Sequence, residues 1–511
     1  MDRQSGSLHA VVALVRARPW RWLAGFLALA MIVVALAQLE RMRSGLLISH
    51  ETVGSTPVTI FRQTSAPPAP AVIIAHGFAG SRQLMQAYAL TLAQAGYVAV
   101  AFDFAGHGRH PLPMSGDLDA IEGTTQRLMQ ETGAVTDFAR SLPPVDGQVA
   151  LLGHSMATDI LVRQAIVDAD IAATVAISMF SEAVTPSLPS SLLMIAGQYE
   201  AFLREEALGK VRQIDPTASE GTQVGAFADG SARKAVVAPG VEHVGVLYSA
   251  SGLREARAWL DSVFDRQSDG PVAATGGWIL LLLGGIVLLA WPLSAALPAR
   301  VGAPDRASWR VFHLAIWVPA LATPLALSLI NTRFLPVLVA DYLAVHLFLF
   351  GVLTIGVLKR AGVRMAPVAW WSSVAFVLYA LVIFGGALDR YVVSFMPHSG
   401  RLPIILALSA GALPFMLADS LLLEGGRAGL ARVALARTAF FTSLAIAIAI
   451  DFERLFFLIM IMPIILLFFV VFGLIGGWVG RHTGSPAASG VAQGLILAWA
   501  LGVTFPTFTA A

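Results

Sequence analysis

The chain of 511 residues is 56% hydrophobic and only 13% charged, too apolar for one water-soluble fold and indicative of a membrane protein. Its 34 basic and 32 acidic side chains leave a formal charge of +2, so no strong positive field recommends nucleic acid as a partner. There is no cysteine, which excludes disulfides, thiolate catalysis and cysteine-bound metals.

In chain order, a basic stretch over 1–21 carries Arg3, Arg16, Arg18 and Arg21. It leads into an apolar run over 22–39, close to the roughly 20 residues needed to cross a bilayer. That pattern predicts a signal-anchor helix. Ala35-Leu36-Ala37 also fits the small-x-small site of a cleaved secretory signal, and both readings send the following residues to the same side.

Residues 50–267 have the composition of a soluble α/β domain. Short runs that are apolar on both faces predict buried parallel strands at 71–75, 97–102, 148–152, 173–178, 192–196 and 234–238. Helical stretches at 81–95, 123–140, 157–169, 202–213 and 251–264 lie between and after them. This alternation predicts a doubly wound, mostly parallel sheet, with reactive groups at the carboxyl ends of its strands. The polar, Gly/Pro-containing segment 265–271 reads as a short linker.

From 275 to 511 the chain is almost continuously apolar, with eight further spans expected at 276–298, 311–330, 336–358, 366–388, 402–423, 437–451, 455–479 and 490–510. The span at 437–451 is short, and Asp451-Phe452-Glu453-Arg454 requires a tight turn or a re-entrant break. Tryptophans 20, 22, 278, 291, 309, 370, 371 and 478 fall near the predicted ends. Every second loop is basic: Arg300, Arg306 and Arg310; Lys359, Arg360 and Arg364; Arg427, Arg432 and Arg437; Arg481. The opposite loops hold only Arg333, Arg390, Arg401 and Arg454. The positive-inside rule then predicts a cytoplasmic N-terminus and an extracytoplasmic soluble domain in a multi-pass protein of the cell (inner) membrane. Asp419 and His346 are the most embedded ionisable groups. Such groups are often functional, but no matching broken repeats accompany them, so an anchoring role is expected ahead of transport.

Gly153-His154-Ser155-Met156-Ala157 joins a predicted strand to a predicted helix, the setting of a nucleophile elbow. Such a turn lifts a serine hydroxyl above the sheet, near a helix N-terminus. Here alanine occupies the last small position. Three further pieces follow strands in order: His76-Gly77-Phe78-Ala79-Gly80, Asp103-Phe104-Ala105-Gly106-His107-Gly108 and Gly240-Val241-Glu242-His243.

On this ordered set, residues from about 50 to 266 resemble the α/β-hydrolase family; the resemblance does not reach the apolar C-terminal region. It implies a serine nucleophile, Ser155, with His243 as its base and Glu200 as the acid behind the imidazole; Glu182 is the alternative acid. Backbone N–H groups of Phe78 and Met156 are the expected oxyanion donors. His76, Asp103 and His154 are expected to order or pack their loops. His107 and His110 have no third ligand at suitable spacing, so neither a metal nor a cofactor is expected.

These readings predict a membrane-bound serine hydrolase that cleaves an ester, thioester or amide outside the cytoplasm through an acyl-enzyme. Residues 179–191 form a short connection with no room for a large lid, which suits an acyl or lipidic substrate arriving from the bilayer. An acyltransferase with the same triad, or a transport or scaffold protein whose domain only binds, are the alternatives.

Overall fold

The computed structural model describes residues 19–117, 121–299, 305–365 and 367–509. Arg3, Arg16, Arg18 and Arg300, used above to orient the chain, lie outside the described residues. The chain divides into two compact units. The domain unit gathers Leu36–Leu280, Leu388–His398 and Pro506–Ala511; the helical unit holds the rest.

A helix, α1 (Pro19–Arg41), precedes the domain sheet. The sheet begins with a hairpin, β1 (Leu46–Val53) and β2 (Thr56–Gln63), followed by β3 (Ala69–Ala75). Helix α2 (Gln86–Gln94) leads to β4 (Val98–Phe102), and α3 (Gln126–Ser141) to β5 (Val145–His154). Helix α4 (Met156–Val167) connects to β6 (Ile171–Ile177), which is followed by β7 (Leu192–Gly197). Then come α5 (Ala201–Arg212), the two-residue β8 (Gln223–Val224), β9 (Arg233–Ala238) and α6 (Ala250–Val263).

The nine strands form one sheet in the order β1-β2-β4-β3-β5-β6-β7-β9-β8. The six central strands from β4 to β9 run parallel; β1, β2 and β8 are antiparallel edges. Burial explains the division. Every residue of β3, β4 and β7 is buried, because helices cover both faces. One face packs Val72, Ile74, Leu152 and Ile195 against Tyr88, Leu253 and Leu260 of the helices. Each such apolar side chain contributes roughly 1.5–3 kcal/mol on burial. β1, by contrast, is half exposed.

The edge strands β1, β2 and β8 were not anticipated. The hairpin signal was present: Val53 pairs with Thr56, so Gly54-Ser55 is a two-residue turn, with Gly54 at φ +60°. The segment 265–271 is not a free spacer. Arg257 bonds the Gly270 carbonyl, and Ala273 donates its N–H to Thr91 Oγ1 at 3.0 Å. The segment following residue 505 also joins the domain unit. Met114 pairs in parallel with Phe508, with Met114 N–H to Thr507 O at 2.8 Å and Thr509 N–H to Met114 O at 2.7 Å.

The helical unit is built from α7 (Gly276–Leu293), α8 (Trp309–Leu327), α9 (Ala340–Arg360), α10 (Trp370–Tyr391, with a π-helical stretch at Tyr379–Phe384), α11 (Leu402–Leu422), α12 (Leu430–Ile450), α13 (Leu458–Thr483) and α14 (Pro486–Thr504). With α1, nine helices among the described residues are long and apolar enough to cross a membrane. Close backbone packing joins α11 to α14. A Cβ on Gly490 would lie 2.7 Å from Leu417 Cα, and one on Gly494 2.8 Å from Leu413 Cα, so only glycine fits this small-xxx-small pair.

The seventh span is a full helix, not the short one expected, because it starts at Leu430. Arg432 and Arg437 therefore sit within the helix instead of in a basic loop. Both are neutralised there: Arg432 pairs with Glu424 at 3.1 Å, and Arg437 with Asp419, its guanidinium 3.8 Å from the centre of the Phe469 ring. The embedded acid Asp419 thus has a structural ion-pair partner. His346 Nε2 meets Ser443 Oγ at 3.1 Å.

Candidate active site

Ser155 stands between β5 and α4 with φ +53° and ψ −119°. Side chains with a Cβ avoid this region, so the surroundings must hold the residue there. Its N–H donates to Ile177 O on the adjacent β6 at 2.9 Å, and its own carbonyl accepts from Thr158 N–H at 2.8 Å and Thr158 Oγ at 2.7 Å. The small residues Gly153 and Ala157 flank it, with Ala157 fully buried. The turn puts Met156 first in α4, where its N–H has no intrahelical acceptor.

His243 comes from the loop after β9. Its Nε2 lies 2.9 Å from Ser155 Oγ, and its Nδ1 lies 2.5 Å from Glu200 Oε1. Glu200 reaches this position from a tight turn after β7, in which its N–H donates to Gly197 O at 3.0 Å. Its second oxygen, Oε2, accepts from Gly197 N–H at 2.5 Å and from Ser178 Oγ at 2.8 Å. Burial alone would raise the Glu200 pKa, but the hydrogen bonds from His243, the Gly197 N–H and Ser178 hold it below the usual carboxylate range. An ionised carboxylate therefore sits behind the imidazole at neutral pH.

The structure brings together Ser155, His243 and Glu200. Glu182 is exposed on the 179–191 connection and hydrogen-bonds neither of the other two among the described residues, so Glu200 and not Glu182 backs the imidazole. Glu242, next to His243 in sequence, caps the N–H groups of Val244 and Gly245 at 2.8 Å. The 76–80 loop closes on the serine turn. A Cβ on Gly77 would lie 3.0 Å from Ser155 Cβ and 3.1 Å from His154 O, so the chain carrying Phe78 lies against the Ser155 turn. His76, fully buried, orders this loop by donating from Nδ1 to Gly77 O at 2.8 Å and accepting Phe104 N–H at Nε2. Asp103 accepts the N–H groups of Arg82 at 2.7 Å and Arg109 at 3.0 Å. His107 bonds Ala105 O, and His110 meets Glu131 at 3.0 Å.

Two contributors went unread in the sequence. His154 does more than pack: its Nε2 donates to His243 O at 2.8 Å, and burial lowers its pKa to about 3, so it stays neutral. Ser178, also at positive φ (+54°), anchors Glu200. A G-x-S-x-G pattern leaves the residue before serine unspecified, and nothing local links Ser178 to an acid 22 positions later. Exposed apolar side chains flank the site in sequence: Phe180 after Ser178, Tyr199 and Phe202 around Glu200, and Val244 after His243. The Phe180 and Phe202 rings lie 5.9 Å apart.

Residues 66–201 match the family model described as serine aminopeptidase, S33. No curated protein sequence matches the chain. Among solved structures, the chain is similar to a dienelactone hydrolase from Anabaena variabilis at 18% identity and TM-score 0.32, covering 42% of this chain and 96% of that one. It is also similar to an esterase from Pyrobaculum calidifontis at 15% identity and TM-score 0.32, covering 47% and 92% respectively. The family match does not extend into the apolar helices that follow residue 275. Strand order and family match together give this domain the α/β-hydrolase fold.

Proposed function

We propose that the protein is a membrane-bound serine hydrolase that cleaves a carboxylic ester, or a thioester or amide, outside the cytoplasm through an acyl-enzyme. One observation carries this reading: the Ser155–His243–Glu200 relay, with contacts of 2.9 and 2.5 Å. Ser155 Oγ attacks the acyl carbonyl while His243 Nε2 takes its proton. Glu200 fixes the tautomer with the proton on Nδ1 and stabilises the imidazolium. The Met156 and Phe78 N–H groups receive the oxyanion. Collapse expels the leaving group, which takes the proton from His243. Water, deprotonated by the same imidazole, then releases the acid and restores Ser155. A domain that only binds has no physical need for this strained, hydrogen-bonded serine.

The apolar side chains around the site and the short 179–191 connection favour an acyl or lipidic substrate over a polar one. The membrane topology has its own support. A chain that crosses at each of the nine helices returns to the domain's side after α10 and after α14. The segments 388–398 and 506–511 at those points belong to the same compact unit as the hydrolase domain. Exposed Trp20, Trp22, Trp309, Trp370 and Trp371 open α1, α8 and α10, all at ends that this path assigns to the opposite, cytoplasmic face.

The test is labelling of the purified protein with a fluorophosphonate, followed by a panel of short- and long-chain esters and aminoacyl amides. Wild type is expected to label and Ser155→Ala to lose both labelling and turnover, the latter by roughly 10⁴-fold or more. A folded wild-type sample that does not label overturns the reading.

A further inference from the structure

Within the domain unit a cavity of about 180 Å³ opens beside the β1–β2 hairpin, lined by Arg43, His50, Arg82, Arg109, Asp389 and Arg390. It exceeds many times the roughly 10–15 Å³ that one water requires. Four guanidinium groups line it, and three carboxylates answer them. Asp103 pairs with Arg82, Asp389 with Arg109 at 2.5 Å, and Glu40 with Arg390 through two contacts of 2.8 Å. Arg43 is the fourth. Among the described residues its ion-pair contact is Glu40 at 4.0 Å, a carboxylate already engaged by Arg390. Its close bond is to a neutral group, Gln86 Oε1, at 2.7 Å. One positive charge is left over in a partly enclosed space.

The excess acts on the neighbours. Burial, and behind it the charges of Arg82, Arg109 and Arg43, holds His50 below its ordinary pKa; burial and Arg390 do the same to Arg43. Gln86 also donates to Arg390 O at 2.9 Å, so the two arginines are braced together before anything binds. Guanidinium forks match the oxygens of phosphate, and clusters of them beside membrane spans attract anionic headgroups. Two of these arginines stand at the ends of candidate spans, Arg43 two residues past α1 and Arg390 in the last turn of α10.

We infer that this cavity binds a phosphate-type oxyanion, carried on a lipid headgroup or on a free phosphomonoester, with Arg43 supplying the unmatched charge and Arg109 a second fork. The site is separate from Ser155 and does not depend on its chemistry. The experiment follows thermal unfolding of the full-length protein under two sets of conditions. In detergent micelles, inorganic phosphate is compared with chloride at equal ionic strength. In nanodiscs, phosphatidylglycerol is compared with phosphatidylcholine. Stabilisation by phosphate, with apparent affinity at least about tenfold weaker in Arg43→Gln/Arg109→Gln, supports the inference with a free phosphomonoester as the source. Stabilisation by phosphatidylglycerol alone, lost in the same variant, supports it with a lipid headgroup. Equal responses of wild type and variant to both probes overturn it. A single cooperative unfolding transition without added phosphate shows that the variant is folded; should the double variant not fold, Arg43→Gln alone decides by the same criterion.

Discussion

His154 donates from Nε2 to the carbonyl oxygen of His243 at 2.8 Å, so the residue just before Ser155 holds the backbone of the residue carrying the imidazole. The two rings lie 4.7 Å apart. Ser155 and His243 are thus tied together twice, once by the side-chain hydrogen bond and once through this neighbour. His154→Leu keeps the bulk but strands the His243 carbonyl, and is expected to lower stability by about 1–3 kcal/mol. As a positioning residue it is expected to affect kcat by about tenfold with little change in KM. Steady-state kinetics with an activated ester, with His154→Asn as partial rescue, checks the split.

Acid should destabilise the domain, and two groups give the same sign. Glu200 is held below its ordinary pKa, so its contribution is present above the unfolded value and fades as pH falls through the folded one. His154 has a folded value of about 3 against an ordinary 6.5. Between those limits the unfolded chain binds the extra proton, so stability also drops as pH falls. Melting temperatures taken from about pH 7 down to about pH 4 are expected to decline, less steeply in His154→Asn. A slope unchanged by that substitution would rule out the His154 part of the account.

Glu200→Gln removes the charge that stabilises the imidazolium while keeping most of the shape. A fall in kcat of about 10²–10⁴-fold is expected, with slower fluorophosphonate labelling. Glu182→Gln is expected to leave both unchanged, since that carboxylate is exposed and hydrogen-bonds neither Ser155 nor His243. Reversal of the two results would transfer the acid role to Glu182.

Gly77→Val tests the proposed oxyanion role of the 76–80 loop. Its side chain would have to enter the space taken by Ser155 Cβ and the His154 carbonyl. The loop must shift, taking the Phe78 N–H with it, and kcat is expected to fall by about 10²-fold with melting largely preserved. Parallel measurement of turnover and thermal unfolding separates a displaced donor from a lost fold.

The absence of cysteine makes the chain a ready background for accessibility mapping. Thr217→Cys, exposed on the domain, is expected to react with an impermeant maleimide applied from outside the inner membrane. Arg364→Cys, exposed between α9 and α10, is expected to react only after lysis. The opposite pattern would invert the topology.

The parallel strands were legible because burial on both faces leaves a plain mark, a short apolar run closed by a polar loop; β3, β4 and β7 are such runs. The half-exposed β1 leaves no such mark, and only the Gly54-Ser55 turn announces it. Ser155, Glu200 and His243 could be picked out because each follows a strand end in a recognisable order. The hydrogen bonds from His154 and Ser178 could not, since they join positions 89 and 22 residues apart through side chains with no local signature. The start of α12 was misread for a related reason: Arg432 and Arg437 look like loop residues until Glu424 and Asp419 neutralise them.

The pairing of Met114 with Phe508 also orders events in time. Ribosomes release residues 106–116 together with the sheet, but Thr507 and Thr509 follow only after the apolar helices have been made. That part of the domain is therefore completed only once the candidate spans have been synthesised, and a chain cut before Pro506 leaves the Met114 amide and carbonyl without these partners. Loss of that short segment would be felt first in the Gly106–Gly116 stretch and not in the apolar helices.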